Sequence, residues 1–168
     1  MTKLEEFRRE KDAFFKIDPD SPLTLEQKKD FIGLKYFPEN TALRLEVDVE
    51  RFPKKEKIIM ETSTGNVQTY TRYGKCKFTV DGQGTELTIY GDHGDFFMPF
   101  VDNLHGKETY GGGRYLEPIE LGKEKFLIDF NMAYNPYCAY NDLFSCPLTP
   151  FENRVKVSIR AGEKIFHP

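Results

Sequence analysis

The chain of 168 residues contains no tryptophan and only three cysteines, at positions 76, 138 and 146. Any single disulfide would leave one thiol over, which is not the pattern of a small secreted domain held together by disulfides. No stretch approaches the roughly 20 consecutive apolar residues that cross a bilayer, and the charged start from Met1 to Lys16 lacks the apolar segment of a secretion signal. These absences predict a cytoplasmic protein with reduced thiols and no membrane partner.

Neither sign of charge is in large excess, because the chain has 24 Lys and Arg residues and 27 Asp and Glu residues, for a net charge of −3. Without a broad positive field, the sequence predicts no nucleic-acid partner. Aromatic residues are plentiful, with 15 Phe and 9 Tyr, and they supply enough apolar surface for one core. The length predicts a single domain over residues 1–168, in which a helical segment, 1–33, packs on a β domain, 34–168. The oligomeric state stays open.

The first 33 residues carry the signals of two short helices. Leu4, Phe7, Phe14 and Ile17 recur near helical spacing and predict one apolar stripe on a first helix. Thr24 followed by Gln27 is a capping-box pattern, and it predicts a second helix that stops at Gly33.

Beyond residue 38 the apolar period changes to two, which is typical of strands with one wet face. Glycines at residues 64–66 and 81–84 predict hairpin turns, so neighbouring strands should be antiparallel. A basic bend is predicted at residues 52–57. The alternation predicts about eight or nine strands in an antiparallel β-barrel or β-sandwich, and the sequence does not decide between the two. The predicted strands cover residues 43–50, 58–62, 67–73, 75–80, 86–90, 96–101, 114–121, 126–132 and 154–160.

The regular alternation breaks down after residue 103, where side chains suited to a binding site gather. Consecutive glycines between Tyr110 and Arg114 would let the backbone approach a ligand, and the guanidinium would hold an anionic group. The alternative is a structural turn with an internal arginine–carboxylate anchor. On the strand that follows, Asp129 and Asn131 would share one face and bracket a polar ligand, or meet solvent or a structural arginine.

An Asn-Pro-Tyr-Cys loop follows at residues 135–138 and would contribute aromatic walls and polar atoms. We therefore predict binding of a small polar or anionic ligand at a pocket between the glycine-rich loop and this loop. No cofactor or metal is predicted, because the cysteines and histidines lack the close spacing of metal sites. The predicted ligand-binding residues are Tyr110, Arg114, Asp129, Asn131, Tyr134, Asn135, Cys138 and Tyr140.

Two other classes of function remain open, so whether the protein is an enzyme is undecided. A hydrolase or thiol-dependent enzyme would use Asp129 as a base, or Cys138 as a nucleophile with His93 or His105 as its base. Cys138 and Cys146 could also be a metal pair or a redox pair. A structural or protein-interaction domain would join Arg114, Asp129 and Glu152 in an internal ion network.

Several short motifs are spread over most of the chain: Gly33-Leu34-Lys35-Tyr36-Phe37-Pro38, Gly113-Arg114-Tyr115-Leu116, Asp129-Phe130-Asn131, Cys138-Ala139-Tyr140, Cys146-Pro147-Leu148 and Ala161-Gly162-Glu163-Lys164. Together they resemble a bacterial and archaeal family, the domain of unknown function 1684. The resemblance implies one compact family domain, but it implies no reaction, cofactor or catalytic residue.

Overall fold

Two helices precede a single antiparallel sheet in the computed structural model, which describes residues 1–92 and 94–168. His93, one of the two histidines predicted as a base for Cys138, lies outside the described residues. The helices are α1 Lys3–Ile17 and α2 Leu25–Asp30. The strands are β1 Arg44–Glu61, β2 Val67–Val80, β3 Gln83–Asp92, β4 Asp95–Phe100, β5 Arg114–Leu116, β6 Ile119–Gly122 and β7 Lys125–Asp129.

The sheet is curled into a half-barrel. Its strand order is β5-β4-β3-β2-β1-β7-β6, and every pair is antiparallel. The edge strands β5 and β6 are separated in the chain by Glu117 and Pro118 alone, so the two edges must approach each other. The prediction of a mainly β, antiparallel fold is confirmed. One curled sheet stands in place of the closed barrel or two-layer sandwich.

Among the described residues the sheet has seven strands, fewer than the predicted eight or nine. The predicted bend at residues 52–57 is wrong, because β1 continues through it and the pairing with β2 shifts register between Arg51 and Glu56. A β-bulge of this kind accommodates extra residues without ending a strand. Gly74 of β2 lies opposite, where a Cβ would come within 2.6 Å of the Glu50 carbonyl oxygen. One long hairpin therefore replaces four predicted strands.

The predicted strand at residues 154–160 is also wrong. Val157 and Ile159 are buried in the core, as their alternation predicts, but the segment makes only scattered backbone contacts. The Val101 N–H donates to the Asn153 carbonyl oxygen, and the Val101 carbonyl oxygen accepts from the Val155 N–H. The Asn103 N–H donates to the Val157 carbonyl oxygen at 2.9 Å. An apolar alternation establishes that one face is buried, and it does not supply a partner strand.

Both predicted helices are confirmed. The predicted capping box at Thr24 and Gln27 starts α2, and a second box at Thr2 and Glu5 starts α1. The buried face of α1 differs from the predicted stripe: Leu4 and Phe15 are buried, and Ile17 is 75% exposed. No helix within the described residues is long and apolar enough to cross a membrane.

The main core joins side chains of the sheet to side chains of the segments that follow it, and a smaller cluster lies against α1. The smaller cluster joins Phe15 and Leu23 to Tyr140, with the Phe15 and Tyr140 rings edge to face at 5.0 Å between centroids. Aromatic and aliphatic side chains make up the main core, including Val49, Phe78, Ile89, Met98, Phe100, Phe126, Ile128 and Phe130.

Candidate functional site

Arg114, the predicted anion-binding residue, is enclosed by protein. Its side chain leaves the start of β5 and is 1% exposed. The guanidinium donates to Asp102 Oδ2 at 3.3 Å and to the Ile159 carbonyl oxygen at 2.9 Å. It also donates to the carbonyl oxygens of Ala161 and Glu163. Burial lowers the pKa of Arg114, and attraction to Asp102 and Glu163 opposes that effect.

Tyr140 belongs to the same buried region through Glu163. The Tyr140 hydroxyl donates to Glu163 Oε1, and Lys11 Nζ of α1 pairs with Glu163 Oε2. Burial raises the pKa of Tyr140 well above its ordinary value, and the Glu163 carboxylate adds to the rise. Asn135 is 2% exposed, and its Nδ2 donates to the Lys164 carbonyl oxygen at 3.0 Å. Three predicted site residues therefore surround the C-terminal segment.

Asp129 and Asn131 lie together elsewhere, and not as neighbours on one strand face. Strand β7 ends at Asp129, whose Oδ1 accepts from the Asn131 backbone N–H at 3.0 Å at the start of a 3-10 turn. Asn131 pairs with the backbone of Asn40 through both ends of its amide, and Arg44 Nε donates to Asp129 Oδ2 at 3.1 Å.

The predicted ion network of Arg114, Asp129 and Glu152 does not form. Each of the three residues has a different partner. Glu152 pairs with Arg72 at 2.8 Å, Asp129 pairs with Arg44, and Arg114 pairs with Asp102. Sequence spacing cannot show which carboxylate meets a given arginine.

Tyr110 and Cys138 form a third group. The Tyr110 hydroxyl lies 3.7 Å from Cys138 Sγ, and the Cys138 backbone N–H donates to Cys146 Sγ at 3.3 Å. His105, a predicted base, instead places Nδ1 2.7 Å from the Asp102 carbonyl oxygen. Among residues 1–92 and 94–168 no group of three or more His, Cys, Asp or Glu side chains could hold a metal.

A wide groove of about 1460 Å³ runs between α1 and the open side of the curled sheet. Its aromatic lining comes from Phe7 and Phe14 of α1, from Phe97 of β4 and from Tyr134, and the buried Phe96 lies at its base. Phe7 is 41% exposed because it faces the groove and not the core. Five carboxylates also line the groove: Glu10, Asp95, Glu117, Glu120 and Asp129. Lys11 is the one basic residue among the described lining residues.

The structure thus distributes the eight predicted site residues over three places. Arg114, Asn135 and Tyr140 lie around the C-terminal segment, and Tyr110 meets Cys138. Asp129 and Tyr134 line the groove, with Asn131 beside Asp129. The Tyr134 hydroxyl donates to Glu117 Oε1 at 2.8 Å, which holds that carboxylate at the groove.

Comparisons with known proteins identify the family. Residues 29–164 match the family described as "Protein of unknown function (DUF1684)". The chain belongs to the DUF1684 family. None of the curated proteins compared with it matches.

A solved structure supports both the DUF1684 assignment and the fold. It is the solution NMR structure of an uncharacterised protein from gene locus rrnAC0354 of Haloarcula marismortui. The two sequences are 36% identical, and the alignment covers 96% of this chain and 92% of that one with a TM-score of 0.74. This DUF1684 chain is therefore similar to an archaeal protein over nearly its full described length.

Sequence reasoning missed the acidic partners that organise this DUF1684 fold. Asp102 and Glu163 are 2% and 1% exposed, yet neither lies in a local pattern that marks burial. Glu163 follows Gly162, and that glycine was the one sequence signal of a special backbone position. In the structure its φ is +78°. The groove was missed because it exists only where α1 meets strands far along the chain.

Proposed function

We propose that the protein binds a small organic cation with an apolar body in the groove between α1 and the sheet. The supporting observation is the combination of aromatic walls with an acidic lining. Phe7, Phe14 and Phe97 offer apolar surface, and the lining contains five carboxylates and one lysine. Aromatic faces attract cations as well as apolar groups, and pockets commonly combine apolar walls with a few placed polar groups.

The charge balance argues for a cation over the anion that the sequence predicts. Lys11, the basic residue of the groove, already pairs with Glu163. Asp129 is compensated by Arg44, but Glu117 and Glu120 are exposed on the edge where β5 gives way to β6. An anionic ligand in this groove would meet a surplus of like charge.

Arg114 is a much poorer binding site for a ligand than the groove. Its guanidinium donates to Asp102 and to three main-chain carbonyl oxygens, so an anion could reach it only by displacing residues 159–163. Such a displacement would leave a buried carboxylate and several carbonyl groups unpaired, which costs about 1–3 kcal/mol for each group. The groove is therefore a more accessible site for a small molecule than the glycine-rich loop.

Three eight-carbon probes that differ only in the head group test the ligand class. We expect octyltrimethylammonium to bind more tightly than octanol, and octanoate to bind most weakly, in calorimetric titrations. Cross-peak shifts in an NMR titration should fall on α1, β4 and β6. Equal affinity for all three probes, or shifts spread over the outer face of the sheet, would contradict the proposal.

Ile119 provides a variant that changes the groove without disturbing the core, because it lines the groove and is 57% exposed. Removing its apolar contact by Ile119→Ser should weaken octyltrimethylammonium binding about tenfold. Ile59→Ser is the matched control, since Ile59 is 69% exposed on β1 and lies outside the groove. Equal losses of octyltrimethylammonium affinity in the two variants would show that the groove is not the binding site. Dimerisation through the groove, seen by sedimentation with no ligand bound, would assign it instead to a second copy of the chain.

A further inference from the structure

Cys138 and Cys146, eight positions apart in the sequence, are brought into contact by the fold. Cys138 sits in the 3-10 turn Tyr137–Ala139, and its backbone N–H donates to Cys146 Sγ at 3.3 Å. Cys146 is fixed to the end of the long hairpin, because its carbonyl oxygen accepts from the Ser63 N–H at 2.9 Å and its N–H donates to Ser63 Oγ at 3.1 Å. The two thiols therefore lie close together without a rearrangement of the chain.

Hydroxyl groups and exposure distinguish the two thiols. The Tyr110 hydroxyl reaches from the glycine-rich loop to within 3.7 Å of Cys138 Sγ. Cys138 is half-buried, so a small reagent can reach it, whereas Cys146 is only 7% exposed. All three cysteines are free thiols in the structure, and Cys76 is 0% exposed in the core.

The electrostatics agree with this geometry. Interaction with the Cys146 thiol lowers the pKa of Cys138 to about 6, with help from the Tyr110 and Ser63 hydroxyls and against the effect of burial. The same interaction raises the pKa of Cys146. Burial raises the pKa of Cys76 to about 11. A thiolate is the nucleophilic form of cysteine, so the accessible member of the pair is also the one held in that form.

We propose that Cys138 and Cys146 are a reactive dithiol site, at which Cys138 attacks a low-molecular-weight disulfide and Cys146 resolves the product. In the first step Cys138 Sγ bonds to one sulfur of the disulfide, the S–S bond breaks, and one thiolate leaves and takes up a proton. In the second step Cys146 loses its proton and attacks Cys138 Sγ, and the second thiolate leaves. The protein pair is oxidised by two electrons, and the small disulfide is reduced to two thiols.

Oxidised glutathione is the probe for this exchange, with intact-protein and peptide mass spectrometry as the readout. The wild type should lose two hydrogens and yield a Cys138–Cys146 linked peptide, with Cys76 unmodified. Cys146→Ser should stop at a stable mixed disulfide on Cys138, and Cys138→Ser should remain unmodified. Modification that begins at Cys146, or a wild-type mixed disulfide that never resolves, would overturn the proposal.

A pH profile of iodoacetamide labelling tests the same site while keeping both thiols. Wild-type Cys138 should label with a midpoint below pH 7, compared with about 8.5 for an ordinary thiol. Tyr110→Phe removes one hydrogen bond to the thiolate and should raise the midpoint by about one unit. Tyr70→Phe is the control, since that hydroxyl donates to Gln68 at 2.7 Å and should leave the profile unchanged. A wild-type midpoint near that of an ordinary thiol would refute the proposed reactivity even if the cysteine variants failed to fold.

Discussion

Arg114→Ala is expected to lower the free energy of unfolding by about 3–5 kcal/mol. The substitution leaves Asp102 buried without its countercharge, and it leaves the carbonyl oxygens of Ile159, Ala161 and Glu163 without a donor. Breaking a buried pair by removing one partner costs this much because the remaining charge has lost both water and its partner. Urea denaturation of the variant and the wild type measures the difference.

Arg160→Ala is the matched control for this prediction. Arg160 lies on the same segment and pairs with Glu108 at 3.0 Å, but its side chain is 54% exposed. An exposed pair contributes about 0–1 kcal/mol, so this change should be nearly silent. A loss of less than about 1 kcal/mol for Arg114→Ala as well would mean that the guanidinium is dispensable for the fold. That result would favour the anion-binding role predicted from the sequence.

Local features of the fold could be predicted because their causes lie within a few residues. The capping box at Thr24 and Gln27 satisfies N–H groups of its own helix. The turn glycines Gly65 and Gly82 have φ of +86° and +79°, as hairpins require. Alternation likewise identified the buried face of β2, where Cys76, Phe78 and Val80 enter the core.

Features that depend on a distant partner could not be predicted. Whether residues 52–57 bend or continue depends on β2, and the register shift that keeps β1 paired is a property of both strands. Val157 and Ile159 show the period of a strand, yet no neighbouring edge pairs with them continuously. Hydrophobic period reports burial, and pairing is decided by tertiary contacts.

The candidate site was harder to predict for the same reason. Tyr110 and Cys138 are 28 residues apart and meet only after the sheet has curled. Asp102 and Arg114 are separated by 12 residues across the glycine-rich loop. The groove combines Phe7 and Phe14 of α1 with residues of β4. The helical period of α1 does not indicate which distant strand will lie near its exposed aromatic side chains.

Gly162 lies where the C-terminal segment crosses the backbone after β7. Its φ is +78°, and a Cβ there would come within 2.7 Å of the carbonyl oxygens of both Ala133 and Phe130. Both oxygens belong to the main chain, so neither can rotate away as a side chain would. The crossing is further fixed because the Phe37 N–H donates to the Gly162 carbonyl oxygen at 2.9 Å.

Gly162→Ala is therefore expected to lower the free energy of unfolding by at least about 3 kcal/mol, combining backbone strain with overpacking. Gly82→Ala separates the two causes, since Gly82 has nearly the same φ, +79°, and nothing within 4 Å of the added Cβ. It should cost about 1–2 kcal/mol from strain alone. Urea denaturation of both variants gives the contribution of the close crossing as the difference between them. Equal losses would show that the backbone after β7 moves aside easily, and that the segment carrying Glu163 is held less tightly than its contacts indicate.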